Sequence, residues 1–256
     1  MALSPEDPPP TRYSVTAADL ARVFPPRNWN ARRALDDVSG LQRGSISVAV
    51  LPVVGHRVLP AALTRFHREN PGIRVRAIEM SVDDMERALT IGTVGLGLGF
   101  MPPSETSLRA QLLYAEELVA VVRPDDPLGG RVAVNLEELA QRPLAVPPAG
   151  YGTRTLLLNA FAQARRTPTF HLELSSVDAL LHLVRECGGL GIVPESALWS
   201  RDESGLRVMR LQRPTPKRQI GILHVYGMNL SPAIEAFIKV VRTTAGELLA
   251  RNPRSG

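Results

Sequence analysis

The chain has 256 residues, 30 basic against 25 acidic, with 44% hydrophobic and 21% charged residues, the composition of an ordinary globular protein. One thiol, Cys187, excludes a disulfide framework and a cysteine-based zinc site, and no apolar run approaches the roughly 18–20 residues that span a bilayer. The start, MALSPEDPPP, has neither the basic nor the apolar region of a secretory signal, so a cytoplasmic chain with no membrane partner is expected.

The net charge of +5 raises the question of nucleic acid. Its carriers are scattered, as at Arg32-Arg33, Arg165-Arg166 and Lys217-Arg218, and sequence does not gather them on one face.

Residues 1–43 stand apart. Pro5 and Pro8–Pro10 exclude regular structure at the start, a short helix follows from Thr16, and Pro25-Pro26 stops it. Trp29 to Val38 is a second helical stretch, ending at Gly40.

From Gly44 a pattern appears and then repeats. Ser45–Leu51 is a β-branched strand, Leu59, Ala62, Leu63 and Phe66 recur at helical spacing, and Ile73–Ile78 is a second strand. Ser81 caps a helix carrying Val82, Met85 and Leu89, and Val94–Phe100 is a third strand. The second pass runs through a strand at Leu144–Val146 and a helix opening at Gly150-Tyr-Gly-Thr, with Leu157, Ala160, Phe161 and Ala164 inward. Phe170–Leu174, a helix with Val177, Leu180, Leu181 and Val184 inward, and Leu190–Val193 complete it. Both halves therefore read β-α-β-α-β, which predicts an α/β protein of two lobes with largely parallel sheets.

Glu117–Arg123 lies between the halves, Gln219–Tyr226 follows the second, and Ser231-Pro232 opens a last helix with Ile234, Phe237, Ile238 and Val241 inward. The strands Leu118–Arg123 and Gln219–Tyr226 are expected to form a hinge. Lobe I would then hold residues 44–122 plus 222–248, and lobe II residues 123–221. Such folds take ligands in the cleft, at the carboxyl ends of the strands.

Most motifs fail on inspection. Gly95-Leu-Gly-Leu-Gly lies within a strand, and Gly188-Gly-Leu-Gly precedes a strand rather than a helix, so neither reads as a phosphate loop. The five histidines are separated, with no metal spacing, and His67 and His182 read as surface or half-buried positions. No nucleophile elbow occurs, and Cys187 at the end of an apolar helix reads as buried and inert. No catalytic set, cofactor or metal is expected.

What remains is a set of polar helix starts, whose unpaired N–H groups favour anions. The loop Pro52-Val53-Val54-Gly55, the Tyr151-Gly152-Thr153 turn and Ser175-Ser176 are candidates, with Phe100 and Pro194 as an apolar wall. Thr153 and Ser176 read as well as plain helix caps and Tyr151 as a lobe-edge residue, while Arg154 reads as exposed rather than as a ligand clamp. The mixture suits a small organic acid with a hydrophobic body.

Leu41-Gln-Arg-Gly-Ser-Ile-Ser-Val, the Phe66…Asn70-Pro71 helix end, the Gly92…Leu98 strand, Glu117-Leu-Val-Ala-Val-Val, Gly152-Thr-Arg, Ser176-Val-Asp-Ala-Leu and Gly191-Ile-Val-Pro-Glu occur in one order. Together they resemble the effector-binding part of a LysR-type transcriptional regulator, over residues 41–248. Glu79-Met80-Ser81 and Gly99-Phe100 lean toward the subgroup of cyanate-operon regulators. The resemblance implies a two-lobed, periplasmic-binding-protein-like (type 2) fold, two Rossmann-like lobes joined by two crossing strands. It also implies a carboxylate or other anion as effector, a homodimer or homotetramer, and a winged helix-turn-helix that reads DNA.

The sequence departs from that pattern in three places. Residues 1–43 resemble only the tail of the winged domain and a broken linker helix, with Asp19 where glycine is usual, so DNA contact would need a helix-turn-helix that this sequence lacks. Leu51-Pro52-Val53 stands where Ser or Thr is frequent, and Gly95 where Asp is usual. The expected function is effector sensing, with two alternatives: a cytoplasmic solute-binding protein of the same fold, and an enzyme on it. Leu59–Phe66 and Ile234–Val241 are the helices expected at the interface between copies.

Overall fold

In a computed structural model, residues 44–199 and 205–251 are described, and the expectations for residues 1–43 lie outside them. The first half folds as β1 (Gly44–Val50), a one-turn helix α1 (Pro52–Gly55), α2 (Val58–Glu69), β2 (Ile73–Glu79), α3 (Val82–Thr90) and β3 (Leu96–Met101). β1 pairs in parallel with β2 and β3, as a β-α-β-α-β order requires. Each helix buries one apolar stripe: Leu59, Ala62 and Phe66 on α2, Met85, Ala88 and Leu89 on α3. The Ser81 hydroxyl accepts from Asp84 N and caps α3.

β4 (Leu108–Val122) holds the molecule together. The expected strand at Glu117–Arg123 is only its end. The segment before it carries Arg109 and Gln111 between apolar residues and a buried Glu116, and that polar mixture hides the strand. Over Leu108–Glu117, β4 runs antiparallel to β10 (Lys217–Val225), which also pairs with β3. From Leu118 onward the same strand pairs with β8 (Leu190–Pro194) and β9 (Arg207–Gln212). The change of partner falls at Glu116–Leu118, opposite the point where Leu118 N donates to Pro216 O at 3.0 Å.

The second half adds β5 (Ala133–Asn135), a one-turn helix α4 (Leu136–Leu139), β6 (Pro143–Val146), α5 (Gly152–Gln163), β7 (Thr169–Glu173) and α6 (Val177–Cys187). β6 lies between β7 and β8, parallel to both. The chain closes with α7 (Pro232–Ala250), capped by Ser231. β5 and α4 carry too few residues for a legible period, and β9, six residues with Arg207, Arg210 and Gln212 among apolar ones, is not foreseen.

The two sheets have separate cores. α2 and α7 meet on the first, where Phe66 and Phe237 stack edge to face at 5.1 Å. Leu59, Ala62, Phe237, Ile238 and Val241 are all spent there, and Arg65 joins Glu247 at 2.9 Å across the helix pair. Most of the apolar residues on these two helices are thus buried within the chain, and Leu63 partly so. Among the described residues no helix is long and apolar enough to cross a membrane.

Candidate functional site

α5 begins where the two lobes touch. Gly152, its first residue, lies against the edge of the Phe100 ring at the end of β3, leaving no space for a side chain. Next to it, the Thr153 hydroxyl accepts from Arg218 Nη1 at 3.0 Å. The Arg218 guanidinium also sits 4.7 Å from the centre of the Phe100 ring, a cation–π contact. Phe100, Gly152 and Thr153 are thereby brought together, and the residue that joins them was seen in the sequence only as one scattered basic position.

Arg218 is 8% exposed and pairs through Nε with Glu116 Oε1 at 2.6 Å; the Glu116 side chain is fully buried. The two face each other directly across the β4–β10 ladder. Glu116 Oε2 accepts in addition from Ser196 N at 3.2 Å, in the one-turn 3-10 helix Glu195–Leu198. A buried pair on the crossing strands thus contacts the second half twice, at Thr153 and at Ser196. Arg218 Nη2 is buried without a hydrogen-bond partner. No local signal marks this pair, because 102 residues separate its members and only the strand pairing joins them.

Behind the pair, Tyr114 packs on Trp199 with ring centres 4.8 Å apart. Burial pushes the Tyr114 hydroxyl well above its ordinary value of 10.0, and the charge of Glu116 adds to the shift. Arg218 and the nearby Ser196 hydroxyl pull the other way. Trp199 follows the 3-10 helix of the second half, yet its side chain is buried in the first core.

The other expected residues are placed differently. Pro194 is buried and pairs with Leu118, one position before the 3-10 helix. α1 packs against that same 3-10 helix, so Pro52 stands near it, partly covered. Val54 is fully buried in the first core and does not face a cleft, because the turn of α1 directs it under β1. The Val53 side chain lies outside the described residues. Tyr151 is 37% exposed, Ser175 is exposed, and the Ser176 hydroxyl accepts from Ala179 N at 3.3 Å as a helix cap.

Two further readings change. Arg154 is held in place: it lies 3.5 Å from the centre of the Phe170 ring and donates to Pro147 O and to Glu173. Cys187 is exposed, since the inward stripe of α6 ends at Val184 and the chain leaves the helix at Gly188.

Strand alternation sends Glu116 to the Thr153 side and Ala115, Glu117 and Val119 to the other. There a groove of about 530 Å³ is lined by Glu117, Val119, Arg210, Lys217 and Leu249, and Glu116 borders it as well as the Thr153 side. Arg210 and Lys217 both pair with Glu117, at 3.1 and 2.9 Å. This groove contains none of the expected site residues.

A family model described as the LysR substrate binding domain matches residues 39–246. The RuBisCO operon transcriptional regulator of Allochromatium vinosum is 26% identical over 85% of this chain and 72% of its own length. The HTH-type transcriptional regulator GalR of Pseudomonas putida is 32% identical over 91% of this chain, which spans 60% of that protein. Among solved structures, the regulatory domain of Synechocystis CcmR in complex with 2-PG superposes with a TM-score of 0.70 at 23% identity. That match covers 78% of this chain and 97% of that domain, and it establishes the likeness of fold.

Proposed function

The chain belongs to the LysR family through its substrate-binding domain, and on that footing we propose that it senses a small carboxylate and thereby regulates transcription. The relatives above are transcription regulators, and the CcmR regulatory domain was solved with 2-PG. The observation that carries the ligand assignment is Arg218 Nη2, a cationic donor buried without an acceptor beside the start of α5. A buried donor left unmatched costs roughly 1–3 kcal/mol, which an acceptor oxygen recovers. The carboxylate would meet Arg218 and the free N–H groups at Gly152 and Thr153, with its body toward Phe100. Thr153 and Phe100 cover the guanidinium, so the ligand enters as the lobes part at Phe100 and Gly152.

In this reading the lobes divide at the two crossings, and the chain works as a homodimer or homotetramer. Any DNA contact would fall to a helix-turn-helix outside the matched residues 39–246.

A thermal-shift screen of aliphatic and aromatic monocarboxylates tests the proposal. An acid present at about 100 times its Kd stabilises the folded chain by roughly 2.7 kcal/mol. The hit should lose its effect in Arg218→Lys, which keeps the charge but not the planar fork. A panel without any hit at millimolar concentration, or a hit indifferent to Arg218→Lys, would sink the assignment.

A further inference from the structure

Glu116 has no part in gripping a ligand, yet its side chain is fully buried beside Arg218. Its carboxylate lies 2.6 Å from Arg218 Nε and accepts Ser196 N with its other oxygen. The charge of Arg218 is therefore already balanced inside the protein. What the guanidinium lacks is one acceptor, at Nη2. These needs differ: an acceptor oxygen satisfies Nη2, whereas each added negative charge also meets Glu116.

In this interior the effective dielectric is far below that of water, and like charges a few ångströms apart repel strongly. A monoanion supplies the missing acceptor and brings one charge near Glu116, offset by the N–H groups at the start of α5. A dianion must hold its second charge near a carboxylate that is fixed by a backbone donor and a 2.6 Å ion pair. The neighbouring cations do not relieve this. Arg210 and Lys217 share Glu117 and stand mostly in solvent, which screens their charge, and Arg154 pairs with Glu173.

We infer that Glu116 is a specificity-determining residue that sets the charge of the effector, admitting monoanions and rejecting dianions. The inference rests on reading the Arg218 cleft as the effector site.

The test uses the full chain and two matched pairs of probes, methanesulfonate against sulfate and succinamate against succinate, with affinity measured by calorimetry. Within each pair the singly charged probe should bind the unmodified chain about tenfold tighter or more. In Glu116→Gln, which keeps the side-chain shape but offers one acceptor oxygen to Ser196 N and a donor NH2 toward Arg218 Nε, the guanidinium loses both its counter-charge and that hydrogen bond. The order should then reverse, with sulfate binding about tenfold tighter than before or more. The double variant Glu116→Gln with Arg218→Gln should lose that gain.

A folded Glu116→Gln chain, checked by circular dichroism, that binds sulfate no better than the unmodified chain would overturn the inference. Where Glu116→Gln does not fold, the unmodified chain decides: equal or tighter binding of the dianions, or no binding of any probe, overturns it. Failure of the effector reading looks different. There no monocarboxylate stabilises the unmodified chain, whatever Glu116→Gln does with sulfate.

Discussion

The α-carbon of Gly152 rests against the edge of the Phe100 ring, one residue from each half of the molecule, and no methyl group fits between them. Gly152 opens a helix, where alanine is ordinarily preferred by about 1 kcal/mol. Here the ring decides the sign. Gly152→Ala should lower stability by roughly 1–3 kcal/mol, the usual cost of overpacking. Adding Phe100→Ala should return most of that loss. Denaturant melts of the two single variants and the double variant check this, and strict additivity would show that the two residues do not bear on each other.

Tyr114 hides a hydroxyl that finds no hydrogen-bond partner of good geometry. Tyr114→Phe should therefore leave stability within about 0.5 kcal/mol of the original at neutral pH, or raise it. At high pH the unfolded tyrosine ionises near pH 10 while the folded one keeps its proton, so the folded state holds more protons. The stability contribution is complete below that pH and is lost as pH rises beyond it. Melts at pH 9 and above should show Tyr114→Phe losing less stability than the original chain.

The opposite sign applies to Asp126. Its carboxylate takes Arg142 Nη1 and Nη2 at 2.8 and 2.7 Å and Leu128 N at 2.9 Å. The Arg142 hydrogen bonds, chiefly, hold it below the usual carboxylate range. Its contribution is present above the unfolded pKa, about 3.9, and is lost as pH falls through the folded value. Asp126→Asn should be less stable at pH 7 and should lose less on going to pH 3. Parallel acid titrations of the two chains would reveal equal slopes if the pair were idle.

Cys187 is the one cysteine of the sequence, and it is exposed at the end of α6. The native chain should react with one equivalent of a thiol reagent without denaturant. Reaction only after unfolding would place the thiol inside.

The parts of the fold legible in the sequence are those written in local periods. The stripes Val177, Leu180, Leu181, Val184 and Ile234, Phe237, Ile238, Val241 are all buried, and the Ser81, Ser176 and Ser231 caps are all made. Parallel strands joined by helices followed from the order of elements alone. The candidate site was legible only in part, since Gly152 and Thr153 announce themselves as a helix start. Arg218 and Glu116 do not, because a charged residue next to an apolar strand looks the same whether it faces water or a partner 102 residues away. Cys187 sits one step past the last inward position of α6, so the apolar run of the helix does not carry it inside.

β4 serves both sheets, but the two cores do not draw on the chain alike. The second core is built from residues between Leu118 and Leu211, one unbroken stretch. The first takes residues 46–114, then Trp199, and then Ile220 to Ala245. As the chain leaves a ribosome, the part made first must therefore wait. Its sheet lacks β10 and its helix layer lacks α7 until the last segment emerges, by which time the middle of the chain has everything it needs. Domains ordinarily fold in the order of synthesis; here the middle is complete first, and the two ends meet afterwards. A nascent chain arrested once Leu211 has cleared the exit tunnel should already resist protease over residues 118–199 while residues 44–117 are still cut.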